Sequence, residues 1–370
     1  MLASNLLFLC SMHLKQITLT NYKNISDKTF DLNPKINCFI GNNGVGKSNI
    51  LDAIYHLSFG KSYFNPIAMQ NIQFGCDFFA LEGRYEKEGR EEKIICSVKK
   101  GHKKTIKRNG KVYERLSDHI GLIPTVIISP ADQDLISEGS SNRRKFIDAV
   151  IGQTDAEFLR NLIEYNKILS QRNALLKFFA FNHTFDADTL DIYNTQLTER
   201  STPIFEKRKS FMEHFIPVFK ARYLSISDQE ENIGLTYESQ LFNALHHDLL
   251  QKSLLKDRII QHTSCGIHKD DVHFLKDEQP VKKFGSQGQQ KTFLVALKLA
   301  QFDFLKSKTG ISPILLLDDA FDKLDQHRVS QIVSLVDQSD FGQIFITDTH
   351  EDRTLQALSN TTSGYELFNL

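Results

Sequence analysis

The residues best equipped for chemistry in this sequence form a glycine-rich segment near the amino terminus. Residues 41–48 read Gly-Asn-Asn-Gly-Val-Gly-Lys-Ser. This is the complete phosphate-loop pattern, in which two glycines enclose four residues and Lys and Ser follow. The backbone N–H groups of such a loop face phosphate oxygens, the lysine reaches the β- and γ-phosphates, and the serine hydroxyl is a Mg2+ ligand. We therefore predict that the segment binds ATP with Mg2+.

The surroundings of this segment support the prediction. Residues 36–40 form an apolar run that indicates a strand, and Ile50 and Ile54 then recur at helical spacing. A strand–loop–helix order is the context that the pattern needs, and it argues against a chance glycine turn. Lys47 is also predicted to be catalytic, and Ser48 to hold the metal. The predicted nucleotide-binding residues are Gly41, Asn42, Asn43, Gly44, Val45, Gly46, Lys47, Ser48 and Asn49.

A second candidate group is a pair of carboxylates that follows an apolar run. Residues 314–317 are Ile-Leu-Leu-Leu, and Asp318 and Asp319 come directly after them. Such a run favours a buried strand, and ligands of α/β sheets collect at the carboxyl ends of the strands. We predict that Asp318 is a Mg2+ ligand and that Asp319 is the catalytic base that polarises the attacking water. A solvated acidic turn is the alternative.

A third group stands shortly before the acidic pair, at the start of an amphipathic helix. A hydroxyl, a glycine and free N–H groups at a helix start can receive an anion. Because the chain already has a phosphate loop, we predict that this group contacts the ATP of a partner subunit. A serine cap with a glycine turn is the alternative. The predicted signature residues are Ser286, Gln287, Gly288 and Gln289.

Composition and periodicity outline the molecule that must position these groups. The chain has 370 residues, and Lys plus Arg and Asp plus Glu each number 45, so no overall charge attracts nucleic acid. Helical periodicity dominates the middle of the chain, and we predict a helical lobe over 131–265 inserted in a head made of 12–130 and 266–370, with 344–347 as the last strand. Residues 1–11 are expected to be an extension. The five cysteines are scattered and no apolar run is long enough for a membrane, so we expect a cytoplasmic protein without a membrane partner.

The ordered set of motifs resembles the RecF family, bacterial repair ATPases related to the heads of SMC and Rad50 proteins. The segments that carry the resemblance are 19–24, 41–48, 129–130, 143–148, 266–271, 286–291, 318–319 and 323–325. The sequence departs from the family pattern at Ala131 and Ile267. The resemblance implies an α/β fold, an ABC-type P-loop ATPase head with a mixed central sheet and an antiparallel sheet, carrying the helical lobe. It also implies that Asp325 belongs to a D-loop.

The functional implications of the resemblance concern DNA repair. It implies a weak, DNA-stimulated ATPase that closes into a homodimer on ATP and binds double-stranded DNA at single-strand gaps or junctions. It further implies that the protein assists RecA loading with RecR and RecO, and that slow hydrolysis releases it. An ABC transporter ATPase subunit is the alternative, and the long insertion argues against it. A small-molecule kinase would leave the signature without a purpose, and an SMC-like structural protein would need coiled-coil arms.

A basic hairpin offers a place for DNA to bind. No acidic residue occurs from Lys99 to Tyr113, a stretch that contains an Asn-Gly turn. Such a ribbon could neutralise several phosphates, yet lysines on an edge hairpin also protect a sheet from aggregation, and both interpretations stay open. The predicted DNA-binding residues are Lys103, Lys104, Lys107 and Arg108.

Two residue assignments stay open at the sequence level. Gln133 is a candidate sensor of the γ-phosphate, although ordinary polar loop filler is the alternative. For the switch position after the strand at 344–347, the competing residues are Thr347, Asp348, Thr349 and His350.

Overall fold

The computed structural model describes residues 12–227, 231–319, 342–359 and 361–370. Its strands are β1 (Met12–Tyr22), β2 (Ile25–Asp31), β3 (Ile36–Ile40), β4 (Phe78–Lys87), β5 (Arg90–Lys99), β6 (Thr105–Arg108), β7 (Lys111–Val112), β8 (Thr125–Ile128), β9 (Ile233–Glu238), β10 (Asp271–Lys276), β11 (Gln279–Pro280), β12 (Ile314–Leu317), β13 (Ile344–Asp348) and β14 (Tyr365–Asn369). Its helices are α1 (Lys47–Phe59), α2 (Asp134–Ser137), α3 (Ser140–Gly152), α4 (Ala156–Asn182), α5 (Ala187–Ile226), α6 (His246–Ile260), α7 (Val281–Phe284), α8 (Gln287–Thr309) and α9 (Glu351–Leu358).

The chain divides into two compact units. The first contains the described residues of 1–133, 221–228 and 287–370, and the second those of 134–220 and 229–286. Residues 266–286, which the sequence assigns to the head, thus group with the second unit, because β10 pairs with β9 along its whole length. The division into an ATPase head and an inserted lobe at residues 131–265 stays a proposal.

A parallel sheet forms the centre of the first unit. Its strand order is β14-β3-β13-β12-β8, and all neighbours run parallel. Every residue of β3, β12 and β13 is buried, as expected for largely apolar strands that are covered on both faces. Because the carboxyl ends of parallel strands meet at one edge, the glycine loop after β3 and the acidic pair after β12 emerge on the same side.

The last strand was wrongly predicted. β13 occupies the middle of the parallel sheet, and β14 (Tyr365–Asn369) follows it and pairs with β3 at the sheet edge. None of the five residues of β14 is fully buried. An edge strand with mixed polar and apolar residues lacks the continuous apolar run by which the inner strands were recognised.

An antiparallel sheet completes the first unit. Its order is β2-β1-β4-β5-β6-β7, and buried residues alternate with more exposed ones along β4 and β5. The buried side chain of Gln343, just before β13, donates to the carbonyls of Leu14 and Asn33 at 2.8 Å and accepts from the Leu14 N–H at 2.7 Å. One amide thus ties the antiparallel sheet to the parallel one. The central sheet, predicted to be mixed, is parallel throughout its described strands, whereas the separate antiparallel sheet and the α/β class are as predicted.

The second unit is built mainly from long helices. α4 has 27 residues and α5 has 40, the latter with Pro203 and Pro217 inside it. The region predicted as a helical lobe also contains one strand, β9, which forms a small sheet with β10 and β11. Six residues of β9 were missed because a single short strand between long helices gives little periodicity. In the part of the chain that the structure describes, no helix is long and apolar enough to cross a membrane.

Candidate nucleotide-binding site

The glycine loop takes the backbone shape that the sequence pattern requires. It joins β3 to α1, and Gly44 and Gly46 adopt φ values of 85° and 114°, which only glycine adopts without strain. A Cβ atom on Gly46 would lie 2.9 Å from the Oδ1 atom of Asn24, so the close approach of that side chain also requires glycine. The loop therefore presents backbone rather than side chains at the start of α1.

Lys47, the first residue of α1, is buried against the loop. Its Nζ atom donates to the carbonyl of Gly41 at 2.6 Å and to that of Asn42 at 3.0 Å. Only 5% of the residue is exposed. Among the described residues no carboxylate pairs with this buried ammonium group, so a phosphate oxygen would be a stronger partner than the neutral carbonyls. Lys47 is thus placed to exchange these carbonyls for ATP.

The turn between β1 and β2 braces the loop from outside. The Nδ2 atom of Asn24 donates to the Gly44 carbonyl at 3.0 Å, and Oδ1 of Asn24 accepts from Nδ2 of Asn49 at 2.8 Å. One side chain therefore connects the middle of the loop to the first turn of α1. The family resemblance includes this turn, but its contact with the loop could not be read from the sequence.

The acidic pair lies next to the loop helix. Asp318 is 5% exposed, and its Oδ1 atom accepts from Oγ1 of Thr347 at 2.9 Å. Oγ1 of Thr347 in turn accepts from the backbone N–H of Asp319 at 2.9 Å, and Asp319 has a left-handed φ of 46°. The hydroxyl of Ser48 hydrogen-bonds to the Asp318 carboxylate. The structure thus brings together the two residues that the sequence assigns to Mg2+.

The electrostatics of Asp318 fit a cation. Burial raises the pKa of Asp318 to about 6, the charges of Asp319 and Asp52 act in the same direction, and the Ser48 and Thr347 hydroxyls oppose it. None of the described residues forms an ion pair with this carboxylate. A carboxylate and a hydroxyl are oxygen donors of the kind that Mg2+ prefers, and no larger group of acidic, His or Cys ligands gathers among the residues that are described. Such a sparse donor set suits a Mg2+ ion that is also held by phosphates and water.

A buried polar network links the loop helix to the signature helix. Asp52 of α1 accepts from the Tyr63 N–H at 2.6 Å, and the Tyr63 hydroxyl donates to Asp132 at 2.5 Å. The ammonium group of Lys298, on α8, lies 2.6 Å from the same Asp132 carboxylate. This network was not predicted, because its members lie far apart in the sequence and meet only in the folded chain.

Comparisons with known proteins identify the family. The family described as RecF/RecN/SMC N terminal domain matches residues 13–366. The DNA replication and repair protein RecF of Flavobacterium johnsoniae is 58% identical over 97% of this chain and 100% of that protein. RecF of Bacteroides fragilis (strain YCH46) is 48% identical over 97% of this chain and 96% of its own. The chain belongs to the RecF family.

Solved structures agree with this assignment. A structure of the recombination mediator protein RecF-ATPrS in the RecFOR pathway superposes with a TM-score of 0.86 at 31% identity, covering 93% of this chain and 94% of the other. An SMC head domain from Pyrococcus furiosus gives a TM-score of 0.53 at 15% identity, with 94% and 92% covered, and supports the fold alone. The predicted ABC-type head is confirmed. A RecF-family DNA replication and repair protein also takes precedence over the transporter ATPase alternative.

The remaining predicted residues of this RecF-family chain fall into three groups. Ser286 immediately precedes α8, and Gln287, Gly288 and Gln289 form its first turn, so the signature does begin a helix. The Nε2 atom of Gln133 donates to Oε1 of Gln290 at 2.9 Å. Asp325 lies outside the described residues.

A cavity accompanies the acidic pair. Its volume is about 470 Å³, and Asp318, Asp319, Gln133 and Gln290 are among the residues that line it. Of the residues that compete for the switch position, Thr347 contacts both members of the acidic pair, whereas His350 is an exposed residue that precedes α9. The cavity therefore lies between the acidic pair and the first turn of the signature helix α8, both of which line it within the first unit.

Two of the four predicted DNA-binding residues in the basic hairpin already have partners within the protein. The guanidinium of Arg108 makes a two-pronged ion pair with Glu92 at 2.9 and 2.6 Å, which raises the pKa of Arg108, and Nζ of Lys104 donates to the Gly60 carbonyl at 2.5 Å. Lys103 and Lys107 are exposed and have no partner among the described residues. Since β6 and β7 end the antiparallel sheet, the interpretation as a protective edge also stays open.

Proposed function

We propose that this chain is an ATP-dependent DNA-binding protein of recombinational repair and replication restart. In this proposal it binds double-stranded DNA at gaps or single-strand/double-strand junctions as an ATP-closed homodimer. It assists RecA loading together with RecR and RecO, and a slow, DNA-stimulated hydrolysis of ATP releases it. The RecF family membership and the RecFOR pathway named for its solved relatives support this proposal.

The proposal rests on one observation: the Ser48 hydroxyl hydrogen-bonds to the buried carboxylate of Asp318, which has no cationic partner in the described part of the chain. Beside them, Lys47 occupies the phosphate loop, and its partners within the described residues are the backbone carbonyls of Gly41 and Asn42. An ATP molecule with Mg2+ supplies both missing charges, negative at Lys47 and positive at Asp318. Relatives have been solved as RecF-ATP and RecF-ATPrS.

Each group has a defined task in this proposal. Backbone N–H groups of the loop and Lys47 bind and orient the phosphates, and Ser48 and Asp318 would hold Mg2+, which offsets phosphate charge. Asp319 orients the attacking water and accepts its proton, and the Thr347 hydroxyl fixes the backbone of Asp319 through its N–H. Ser286 and Gly288 of a second copy would complete the site at the γ-phosphate, so that ATP joins the two heads.

The direct test is DNA binding in defined nucleotide states. Fluorescence anisotropy is measured for labelled duplex, gapped duplex and single-stranded DNA, without nucleotide, with ADP, and with a slowly hydrolysed ATP analogue. We expect tight binding to duplex-containing DNA only with the analogue, and no such binding for Lys47→Ala. Lys252→Ala, which removes an exposed lysine of the second unit, serves as the control and should bind as the wild type. Nucleotide binding without DNA affinity in all states would contradict the proposal.

A further inference from the structure

The second unit carries an apolar groove that the ATPase chemistry does not use. It lies where the end of α4, the residues after α4 and the last turns of α6 meet, and its volume is about 600 Å³. We call it the α4–α6 groove. The residues that matter for its chemistry are Leu176, Phe179, Phe185, Leu255, Arg258 and Ile259.

The two helix ends that form the groove expose large apolar side chains. On α6, Leu255 is 73% exposed and Ile259 is 79% exposed, and their spacing of four places them on one face. Just after α4, Phe185 is 36% exposed and also lines the groove. Single exposed apolar residues are common on proteins, but three around one concavity form a surface suited to binding another molecule.

The fixed charge in the lining of the groove is positive. No carboxylate lines it, and the Arg258 guanidinium stacks 4.1 Å from the centre of the Phe185 ring. A stacked guanidinium keeps its N–H groups at the edge, where they suit a carboxylate. The lysines Lys177, Lys252 and Lys256 are exposed on the same two helices. None of these four cations forms an ion pair with a described residue.

Two acidic residues adjoin the lining residues in the sequence, and each has partners of its own. Asp257 of α6 is fully buried and pairs with Arg172 at 2.9 Å. Asp186, in the segment after α4, accepts from the backbone N–H and the hydroxyl of Thr189 at 3.1 and 2.6 Å, as a helix cap does. The groove therefore combines an apolar floor with a cationic rim, and no described carboxylate forms an ion pair with the cations of that rim.

We propose that the α4–α6 groove binds an acidic, amphipathic peptide segment of a protein partner, with two or three large apolar side chains on the groove floor and Asp or Glu beside them. A second copy of the chain fits less well, since symmetric pairing would bring like charges at Arg258 and Lys256 together. Nucleic acid would use the lysines but would leave the aliphatic side chains of Leu255 and Ile259 in water. This site is independent of ATP and of the proposed DNA contacts.

The first experiment selects ligands without assuming a partner. A library of random 12-residue peptides displayed on phage is panned against the full-length protein. In parallel it is panned against Ile259→Glu, a change at an exposed position that should not disturb folding, which circular dichroism checks. We expect wild type to enrich peptides with paired large apolar residues and an excess of Asp and Glu, and Ile259→Glu to lose them.

The second experiment measures affinity with one enriched peptide, synthesised with a fluorescent label. Ile259→Glu and Arg258→Glu should each weaken binding at least about ten-fold, as loss of a central contact does. Binding should also weaken with added salt. Ile163→Glu, at a half-exposed position earlier on α4, is the matched control and should bind as the wild type.

Three results would overturn the proposal. One is that the wild type enriches no peptides that Ile259→Glu does not also enrich. Another is enrichment of basic or uncharged peptides, and a third is unchanged affinity in Arg258→Glu. Sedimentation of the protein without peptide tests whether a second copy of the chain occupies the groove. If the protein self-associates and Ile259→Glu abolishes that association, the groove belongs to a second copy and the peptide proposal is rejected.

Discussion

At the scale of single residues, the site depends on a carboxylate that folding leaves in an unfavourable state. Asp318 is buried beside Asp319 without a cation among the described residues, and burial raises its pKa to about 6. The free energy that this costs the nucleotide-free protein is regained when a cation binds, because the metal favours the ionised form. The same residue therefore couples nucleotide binding to pH.

The first prediction concerns the pH dependence of Mg2+-ATP binding. Below pH 6 Asp318 holds a proton, which Mg2+ must displace, so affinity should be about ten-fold weaker at pH 5 than at pH 7.5 from this residue alone. Isothermal titration at both pH values measures it. Asp318→Asn corrects for titration of ATP itself and should show a smaller change. Equal pH dependence in the two proteins would remove Asp318 from the metal site.

The raised pKa also fixes the sign of a stability effect. The folded pKa of about 6 lies above the ordinary value of 3.8, so the folded state binds the proton more tightly and stability falls as pH rises between these values. Asp318→Asn should therefore raise the free energy of unfolding of the nucleotide-free protein at pH 7.5 by at most ~3 kcal/mol. Its Tm should rise accordingly. At pH 4 the two proteins should unfold at nearly the same temperature. Thermal denaturation checks both points.

Asp319 yields a prediction that separates chemistry from binding. As the proposed catalytic base, it would act on the attacking water and not on the bound phosphates, so Asp319→Asn should bind ATP with wild-type affinity and hydrolyse it at least about 100-fold more slowly. Single-turnover hydrolysis and equilibrium nucleotide binding are measured on the same preparation. Hydrolysis at the wild-type rate would show that another group activates the water.

At the scale of elements, the phosphate loop is held by a neighbouring turn as well as by its own glycines. Asn24 bonds to both Gly44 and Asn49, so the turn between β1 and β2 fixes the loop relative to α1. Pre-organised N–H groups bind an anion with less loss of entropy than flexible ones. The phosphate-loop motif does not include this contact, because Asn24 lies well before the loop in the sequence.

Replacement of Asn24 tests the brace. Asn24→Ala removes both hydrogen bonds and should weaken ATP binding by about ten-fold, the effect of one to two kcal/mol of hydrogen bonding. Asn24→Asp keeps the acceptor for Asn49 and loses the donor to the Gly44 carbonyl, so it separates the two contacts. Nucleotide affinity is measured by titration, and urea denaturation shows whether global stability changes. Wild-type affinity in Asn24→Ala would mean that the glycines suffice.

The basic hairpin gives a second prediction at this scale. Lys103 and Lys107 have no described partner, whereas Arg108 is paired with Glu92. The double change Lys103→Glu, Lys107→Glu should therefore weaken duplex binding and reduce the salt slope by about two. Lys177→Glu, Lys252→Glu is the control with the same change in net charge. If the hairpin variant binds with the wild-type slope, the lysines protect a sheet edge and do not contact DNA.

At the scale of the whole molecule, the chain holds only part of the site that we propose. The cavity beside the acidic pair separates it from the start of α8 in the same unit. Contact of a signature with the γ-phosphate would then come from a second copy, as in ATP-closed dimers. Because each copy would offer both surfaces, a symmetric pair would contain two such sites.

Dimerisation should accordingly follow the nucleotide. Multi-angle light scattering of the wild type with a slowly hydrolysed ATP analogue should give twice the monomer mass. The wild type with ADP, and Lys47→Ala with the analogue, should each give the monomer mass. Ser286→Arg should keep nucleotide affinity and lose the dimer, because the change lies on the partner side of the site. Identical masses at saturating analogue would contradict the dimer, and an unaffected dimer in Ser286→Arg would place the interface elsewhere.

The parts of the protein that depend on local order could be predicted from the sequence. The phosphate loop, the acidic pair after β12 and the helix start at Gln287 were predictable because each is a short pattern whose shape follows from glycine freedom, apolar runs or capping. The α/β class followed from the same runs. The edge strand β14 and the isolated strand β9 were missed, since their pairing partners and not their own residues make them strands.

Which side chains meet depends on the folded chain and could not be predicted from local patterns. Thr347 reached the acidic pair, Asn24 reached the loop, and Lys298 reached Asp132 from positions far apart in the chain. The tertiary structure also decided that Glu92 neutralises Arg108 and that Leu255 and Ile259 stay in water. The physical reason is that charge and burial depend on neighbours brought by folding, whereas a motif records only the residues adjacent to it.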